Sequence, residues 1–325
     1  FTIVGIPPPS SGGATIIGAA RFLSGYKSPL ASEADTLSIH RTVEALRHAF
    51  ALRMSLSDPA FHTNNNNNNN NKTAEAVKDL IDGDYMEYLR RITKDNDTLP
   101  LSMYGGTKWA QLKDSDGHIE TIIEDAHEGD RRLRRRRRRR LGRPFGYLED
   151  SGTSHLSVVD RDGNAVSVTS SINQIFGSYV FSESTGVLLG NTMDDFGNPG
   201  GRSNYYGLKP SPENFVAPGK KPLSSMSPTF VFRQQQDDDN DNDNDDDNID
   251  FGALKLVIGG SGGPKIISSV LQVFLNYCLL GLPSLFDAVV RPRIHEQLVY
   301  HNAAVTTTEK DVLAQPQQQQ QQQQQ

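Results

Sequence analysis

The stretch "DSGTSHLSVVDRDGNAVSVTSSINQIFGS", Asp150 to Ser178, decides how the chain is read. "HLSVVD" and "AVSVTSSI" alternate and are rich in valine, and Arg161-Asp162-Gly163-Asn164 between them is a turn signal. Period-two patterning on both sides of such a turn predicts a β-hairpin. Thr153 then stands just ahead of the first strand, directly after Gly152. A cut between the two would leave Thr153 with a free α-amine beside its own hydroxyl. Such an amine has an ordinary pKa of about 8 and can take the hydroxyl proton. Gly152 suits the step, because a carbonyl with no side chain beside it is open to attack. On spacing alone Thr153 reads first as an ordinary threonine ahead of a strand. His155 shares its face of a strand and is either a second base or a structural hydrogen-bonding histidine.

The rest of the chain supports a layered α/β protein. "FTIVGIPPPSSGGATI" reads as a strand and a proline-glycine loop, followed by an apolar helix from Ile16 to Leu23. Asp35 is placed to cap a helix from Thr36 to Met54, and Ala74 to Ile92 reads as another, weakened by Gly83. "GVLLGN", "SPTFVFR" and "ALKLVIGG" supply strands. Ile266 to Leu280 and Leu285 to Val290 read as helices, with Cys278 buried in the first.

Hydrophobic residues make up 36% of the 325, a low share that four low-complexity runs explain. Asn64 to Asn71, Arg134 to Arg140, Asp237 to Asp247 and Gln317 to Gln325 cannot bury apolar surface, so each reads as a disordered insert or tail. The arginine run has no aromatic interleaving, so it is read as a solvated insert and not as a nucleic-acid surface. One cysteine excludes a disulfide framework within the chain. Asn71-Lys72-Thr73 and Asn96-Asp97-Thr98 match the N-glycosylation acceptor pattern. No signal peptide or membrane span is legible. Phe1 is not a start methionine, so any leader or anchor is expected in a missing N-terminus.

Three further motifs carry chemistry. Gly259-Gly260-Ser261-Gly262-Gly263 falls between a strand and a helix, where backbone amides can hold an anion or a developing oxyanion. It lacks the lysine spacing of a phosphate loop. A plain glycine turn is the other reading. Asp194-Asp195 suits an amine better than a metal, since no histidine sits at ligand spacing. Ser224-Ser225 offers two small hydroxyls in a proline-flanked loop.

Together these pieces resemble the γ-glutamyltranspeptidase family. The stretches that carry the resemblance are "PPPSSGG" at Pro7, "VEALRHAFALR" at Val43, "GTSHLSVVDRDGNAVSVTSSIN" at Gly152, "MDDF" at Met193, "PLSSMSPT" at Pro222, "GGSGGPKI" at Gly259 and "RPRIHEQL" at Arg291, in the family's order. The resemblance implies a four-layer αββα N-terminal-nucleophile hydrolase sandwich and a precursor that cuts itself at Gly152-Thr153. Residues 1–152 would then be the C-terminal part of a large subunit and 153–325 a small subunit, with an acidic insert at about 234–249, the two forming a heterodimer. It implies Thr153 as nucleophile and Ser171 as its hydroxyl partner. Asn173 and Asp195 would hold the α-amino group of a glutamyl substrate, with Thr192 where relatives commonly have Glu or Gln. Ser224 and Ser225 would hold its carboxylate, and Gly262 and Gly263 would form the oxyanion hole. Pro264 after them is a departure that stiffens the loop. The resemblance implies that the chain begins midway through the large subunit and stops before the family's usual C-terminal strands, and the family arginine that clamps the carboxylate is expected in the missing part. The implied activity is γ-glutamyl hydrolysis and transfer on glutathione and related compounds. Water, an amino acid or a dipeptide would be the acceptor, with no cofactor and no metal, at the outer face of the plasma membrane or in secreted form. The rival readings are an inactive family member acting as a binding or structural protein, and an acylase of the same fold with another acyl group.

Overall fold

The computed structural model describes residues 1–26, 36–61, 71–110, 151–200, 203–234 and 251–299, with the backbone alone for Ser151, Thr307 and Thr308. Asp35, the arginine and aspartate runs, the glutamine tail and all of the asparagine run but Asn71 lie outside them.

Strand β1 (Thr2–Gly5) runs into helix α1 (Gly12–Ser24), which packs on α2 (Thr36–Arg53), α3 (Lys72–Ile81) and α4 (Gly83–Ile92). Helix α1 starts at Gly12, four residues before the apolar run begins. Glycine is required there because a Cβ on Gly12 would sit 2.1 Å from Ser227 Oγ. The helix expected over Ala74 to Ile92 is two helices. Asp82 adopts an extended backbone and serves both: its N–H donates to Lys78 O, and its side chain accepts from Asp84 N–H. A short helix α5 (Gly106–Trp109) follows.

Phe22, Leu46, Phe50, Met86, Leu89 and Tyr104 are wholly or almost wholly buried and form the centre of the helical core. Burying each such side chain contributes about 1.5–3 kcal/mol. The core continues onto helix α6 (Lys265–Phe274), whose Ile267, Val270, Leu271 and Phe274 face inward, and which packs against α1. The helix does not run unbroken to Leu280. Leu275–Leu279 form a π-helical turn, and Cys278 in it is half-buried rather than buried. Helix α7 (Leu285–Val290) is as expected.

β6 (Thr229–Arg233) is the central strand of an antiparallel three-stranded sheet, between β1 and β7 (Ala253–Ile258). β6 and β7 are direct antiparallel neighbours, so their connection needs only a hairpin turn. Removing residues 237–248 from it is expected to leave the fold and activity intact, since loop closure changes by about 0.6 kcal/mol per doubling of length. A thermal melt and an activity assay check this.

The hairpin is β2 (Ser151–Val159) and β3 (Ala165–Gln174). Asp160 closes its turn, with Oδ1 accepting the N–H groups of Asp162 and Asn164. Thr153 lies within β2, not ahead of it, opposite Ser171. The faces are the reverse of the usual pattern. Thr153, His155, Ser167, Thr169 and Ser171 are among the partly buried residues, and Ser167 Oγ reaches Ile258 O of β7 at 3.4 Å. Leu156, Val158, Val166 and Val168 are exposed. Strands β4 (Phe181–Ser182) and β5 (Val187–Leu188) make a small ribbon, and β8 (Ile294–His295) pairs with β9 (Thr307–Thr308).

Candidate active site

The ladder register shifts where Gly152 lies: Ser151 faces Gln174, but Thr153 faces Ser171. β3 therefore carries an extra residue there, a β-bulge that Asn173 completes with φ 72°. Gly152 is packed into it, for a Cβ would stand 2.2 Å from Gln174 O. The bond expected to be cut is thus next to an irregularity in the ladder, and only glycine fits on its N-terminal side.

The bulge aims two hydroxyls at each other. Thr153 Oγ1 and Ser171 Oγ are 2.8 Å apart. Asn173 N–H donates to Ser171 Oγ at 2.9 Å, which fixes the serine and leaves its proton for one further bond. Asn173 is itself buried. Its Nδ2 donates to Asn191 O and its carbonyl accepts from the Tyr206 hydroxyl at 2.8 Å, so its Oδ1 remains an acceptor. His155 is occupied elsewhere: Nδ1 pairs with Thr169 Oγ1 and Nε2 with Ser157 Oγ, both at 2.9 Å. Its ring lies against Gly259, and burial lowers its pKa. That geometry favours the structural reading of His155.

The glycine loop sits between β7 and α6, as the sequence predicts. Gly262 and Gly263 have φ values of 124° and 59°, conformations that suit glycine. A Cβ on Gly263 would meet the Tyr206 ring at 2.5 Å. Tyr206 thereby ties the loop to Asn173 and the hairpin. Among the described residues no acceptor takes the N–H of Gly262 or Gly263. Both amides are available to an oxyanion.

The acid pair divides its work. Asp194 Oδ2 accepts from Tyr205 N–H at 3.0 Å, whereas Asp195 lines a cleft with Arg53, Ser211 and Gln297. Both acids lie in a single 3-10 turn, Thr192–Asp195, whose first residue is exposed. Burial pushes the Asp195 carboxyl up to about 7, Asp194 adds to this, and Arg53 opposes it. Ser224 and Ser225 lie in a loop held to the loop around Ser10 and Ser11: Ser224 N–H donates to Pro9 O, and Ser11 N–H to Ser224 O. Thr153 and the serine pair do not line the Asp195 cleft. Sequence reasoning does not single out Arg53, Tyr206 or Asn191, although each joins candidate residues together.

The two acceptor triplets differ. Asn71 caps α3 by accepting Ala74 N–H, and Thr73 is buried against Ser57 Oγ. Asn96 and Thr98 are exposed. Among the described residues no group of three or more His, Cys, Asp or Glu is arranged for a metal ion, and no helix is long and apolar enough to cross a membrane.

The described residues combine mixed helices and sheets with a hydroxyl pair early in a strand, Thr153 and Ser171, and a glycine loop between β7 and α6. Comparison with known proteins gives the family. The family described as Gamma-glutamyltranspeptidase matches residues 1–325. Glutathione hydrolase 2 of Arabidopsis thaliana is 35% identical over 307 residues, which cover 94% of this chain and 42% of that protein. The glutathione hydrolase proenzyme of Pseudomonas sp. (strain A14) is 33% identical over 301 residues, 91% of this chain and 40% of that one. The chain therefore spans about two fifths of the length of these relatives. It is 33% identical over 247 residues to the Arabidopsis protein named "Putative inactive glutathione hydrolase 4", 96% of which it covers. A solved gamma-glutamyltranspeptidase from Pseudomonas nitroreducens complexed with L-DON matches 51% of this chain and 79% of its own, at 36% identity and a TM-score of 0.40. The chain belongs to the gamma-glutamyltranspeptidase family, an α/β family of the N-terminal-nucleophile hydrolase fold.

Proposed function

We propose that the protein is a γ-glutamyltransferase and glutathione hydrolase that matures by cutting itself between Gly152 and Thr153. The observation that carries this reading is the Thr153–Ser171 hydroxyl pair at 2.8 Å beside the Gly152 bulge. In maturation, Thr153 Oγ1 attacks the Gly152 carbonyl carbon, the acyl group moves from nitrogen to oxygen, and water cleaves the ester. The freed α-amine, with an ordinary pKa of about 8, then takes the hydroxyl proton in turnover. Thr153 Oγ1 attacks the γ-glutamyl carbonyl, and the oxyanion is held by the Gly262 and Gly263 amides. The amine product leaves with a proton, and the acyl-enzyme passes to water or to an amino acid or dipeptide amine. Asp195 and the Asn173 Oδ1 hold the substrate's α-ammonium with Thr192 at the same turn, and Ser224 and Ser225 hold its carboxylate. Large and small subunits stay together as a heterodimer. The exposed Asn96 triplet supports an extracellular setting, on the membrane's outer face or secreted.

A second reading is an inactive member, favoured by the likeness to a relative whose name marks it so. Release of the chromophore from a γ-glutamyl anilide by full-length protein, with and without a dipeptide acceptor, separates the two. No release, together with a single uncut band on a denaturing gel, refutes the enzyme reading.

The pH profile carries its own expectation. Below about pH 7 the protonated Asp195 carboxyl cannot pair with an ammonium. Because kcat/KM reports groups of the free enzyme, Asp195 contributes an acid limb of about tenfold per pH unit there. The same limb is shifted to lower pH in kcat, since the bound ammonium pulls the carboxyl down. Asp195→Asn abolishes the limb, and a wild-type limb identical in both parameters contradicts the assignment. The linkage to stability has the opposite sense from a salt-bridged acid. The folded value lies above the ordinary one, so this group destabilises the fold increasingly as pH rises from about 4 to about 7.

A further inference from the structure

We infer that Arg53 is a positioning residue that sets the Ser225 hydroxyl to donate to the carboxylate of an amino-acid head group. The inference rests on the γ-glutamyl reading above and names the residue that prepares its carboxylate site.

Arg53 is the last residue of α2 and only 4% exposed. Its Nη2 donates to Ser225 Oγ at 2.8 Å across 172 residues of sequence. A guanidinium has N–H donors and no acceptor, so Ser225 Oγ must accept in this bond. The serine proton is then left over, and among the described residues nothing accepts it. Ser224 is treated alike: its Oγ accepts from Met226 N–H at 3.1 Å, and its own proton is also left over. Two adjacent hydroxyls are each held from behind by a pure donor. Both O–H bonds are free to point outward, the arrangement a two-oxygen anion requires. Without Arg53, Ser225 could turn its proton inward and present a lone pair to the ligand, which would repel a carboxylate.

The guanidinium is an expensive group to hold in this place. Among the described residues its Nε is buried without a hydrogen-bond partner, and its Cζ lies over the Phe50 ring, 5.6 Å from the centroid. Burial lowers its pKa to about 10 with Asp195 opposing, so it stays charged at neutral pH. Its field also favours the ionised form of Asp195, which lines the same cleft. A structural role alone gives no reason to spend it on the hydroxyl of a partly exposed serine.

The test uses the full-length protein and two substrates, γ-glutamyl anilide and 4-aminobutyryl anilide, which lacks the α-carboxylate. Arg53→Met is expected to raise KM for γ-glutamyl anilide about 10- to 100-fold, the size of a lost charge-assisted hydrogen bond. The change in kcat should stay within about threefold, and kcat/KM for 4-aminobutyryl anilide should fall far less. Arg53→Lys should retain part of the affinity. In a Ser225→Ala background the Arg53 substitutions should add little, because the two residues act as one unit. If Arg53→Met does not fold, Arg53→Lys with and without Ser225→Ala carries the test. Unchanged KM in Arg53→Lys, equal losses on both anilides, or additive effects with Ser225→Ala overturn the inference and leave the γ-glutamyl reading standing. A wild type that does not turn over γ-glutamyl anilide overturns that reading, and the inference with it.

Discussion

Thr153→Ala leaves the full-length protein as one uncut chain without γ-glutamyl transfer. The same oxygen serves in maturation and in turnover, so a single substitution removes both. Alanine keeps the β2 backbone and the ladder to β3, because strand pairing does not involve the side chain. Ser171 Oγ would lose its partner but keep the Asn173 N–H bond, so the bulge should persist. The loss in kcat is expected at roughly a million-fold, as for removal of other covalent nucleophiles. Thr153→Ser restores part of both functions, since the hydroxyl and the freed amine remain. Denaturing electrophoresis and the anilide assay read the two outcomes separately. An alanine variant that is cleaved and active contradicts the assignment.

Asp195→Ala separates the two functions. Self-cleavage involves no free amino acid, so it should proceed. Substrate use should collapse, because the α-ammonium would enter a cleft that had lost the one carboxylate lining it among the described residues. Removing one partner of a buried charge pair costs about 2–5 kcal/mol. The affinity for γ-glutamyl anilide should fall accordingly, by about 30- to several-thousand-fold. Asp194 cannot substitute, because it is turned to the Tyr205 amide. Substrate affinity unchanged in a correctly cleaved Asp195→Ala protein refutes the role.

Much of this was legible in the residues. Alternation on both sides of Asp160 to Asn164 gave the hairpin, and the strand–glycine–helix order placed the loop from Gly259 to Gly263. The position of Thr153 inside β2 was not legible, because small hydroxyl residues mark strand edges and loops as readily as strand interiors. The direction of the hairpin faces was hidden for a related reason. Apolar residues are expected inward, yet here the hydroxyl face with Thr153, His155 and Ser171 turns toward β7 and the glycine loop. Only the chemistry of those side chains, not their hydropathy, pointed that way. Arg53 escaped notice because a basic residue in the last turn of a helix is the ordinary complement to the helix dipole. The signal was its spacing: it continues the stripe of Leu46 and Phe50, both buried, so its charge had to be buried too. The break at Asp82 was misread because Gly83 looked like the weak point, whereas the aspartate carboxylate caps the second helix.

The central claim is that Thr153 becomes an N-terminal residue. Intact-mass and N-terminal sequence analysis of the smaller fragment of the purified full-length protein tests it most directly. A fragment beginning at Thr153 is the predicted result. An uncut chain, or a first residue other than Thr153, contradicts the account.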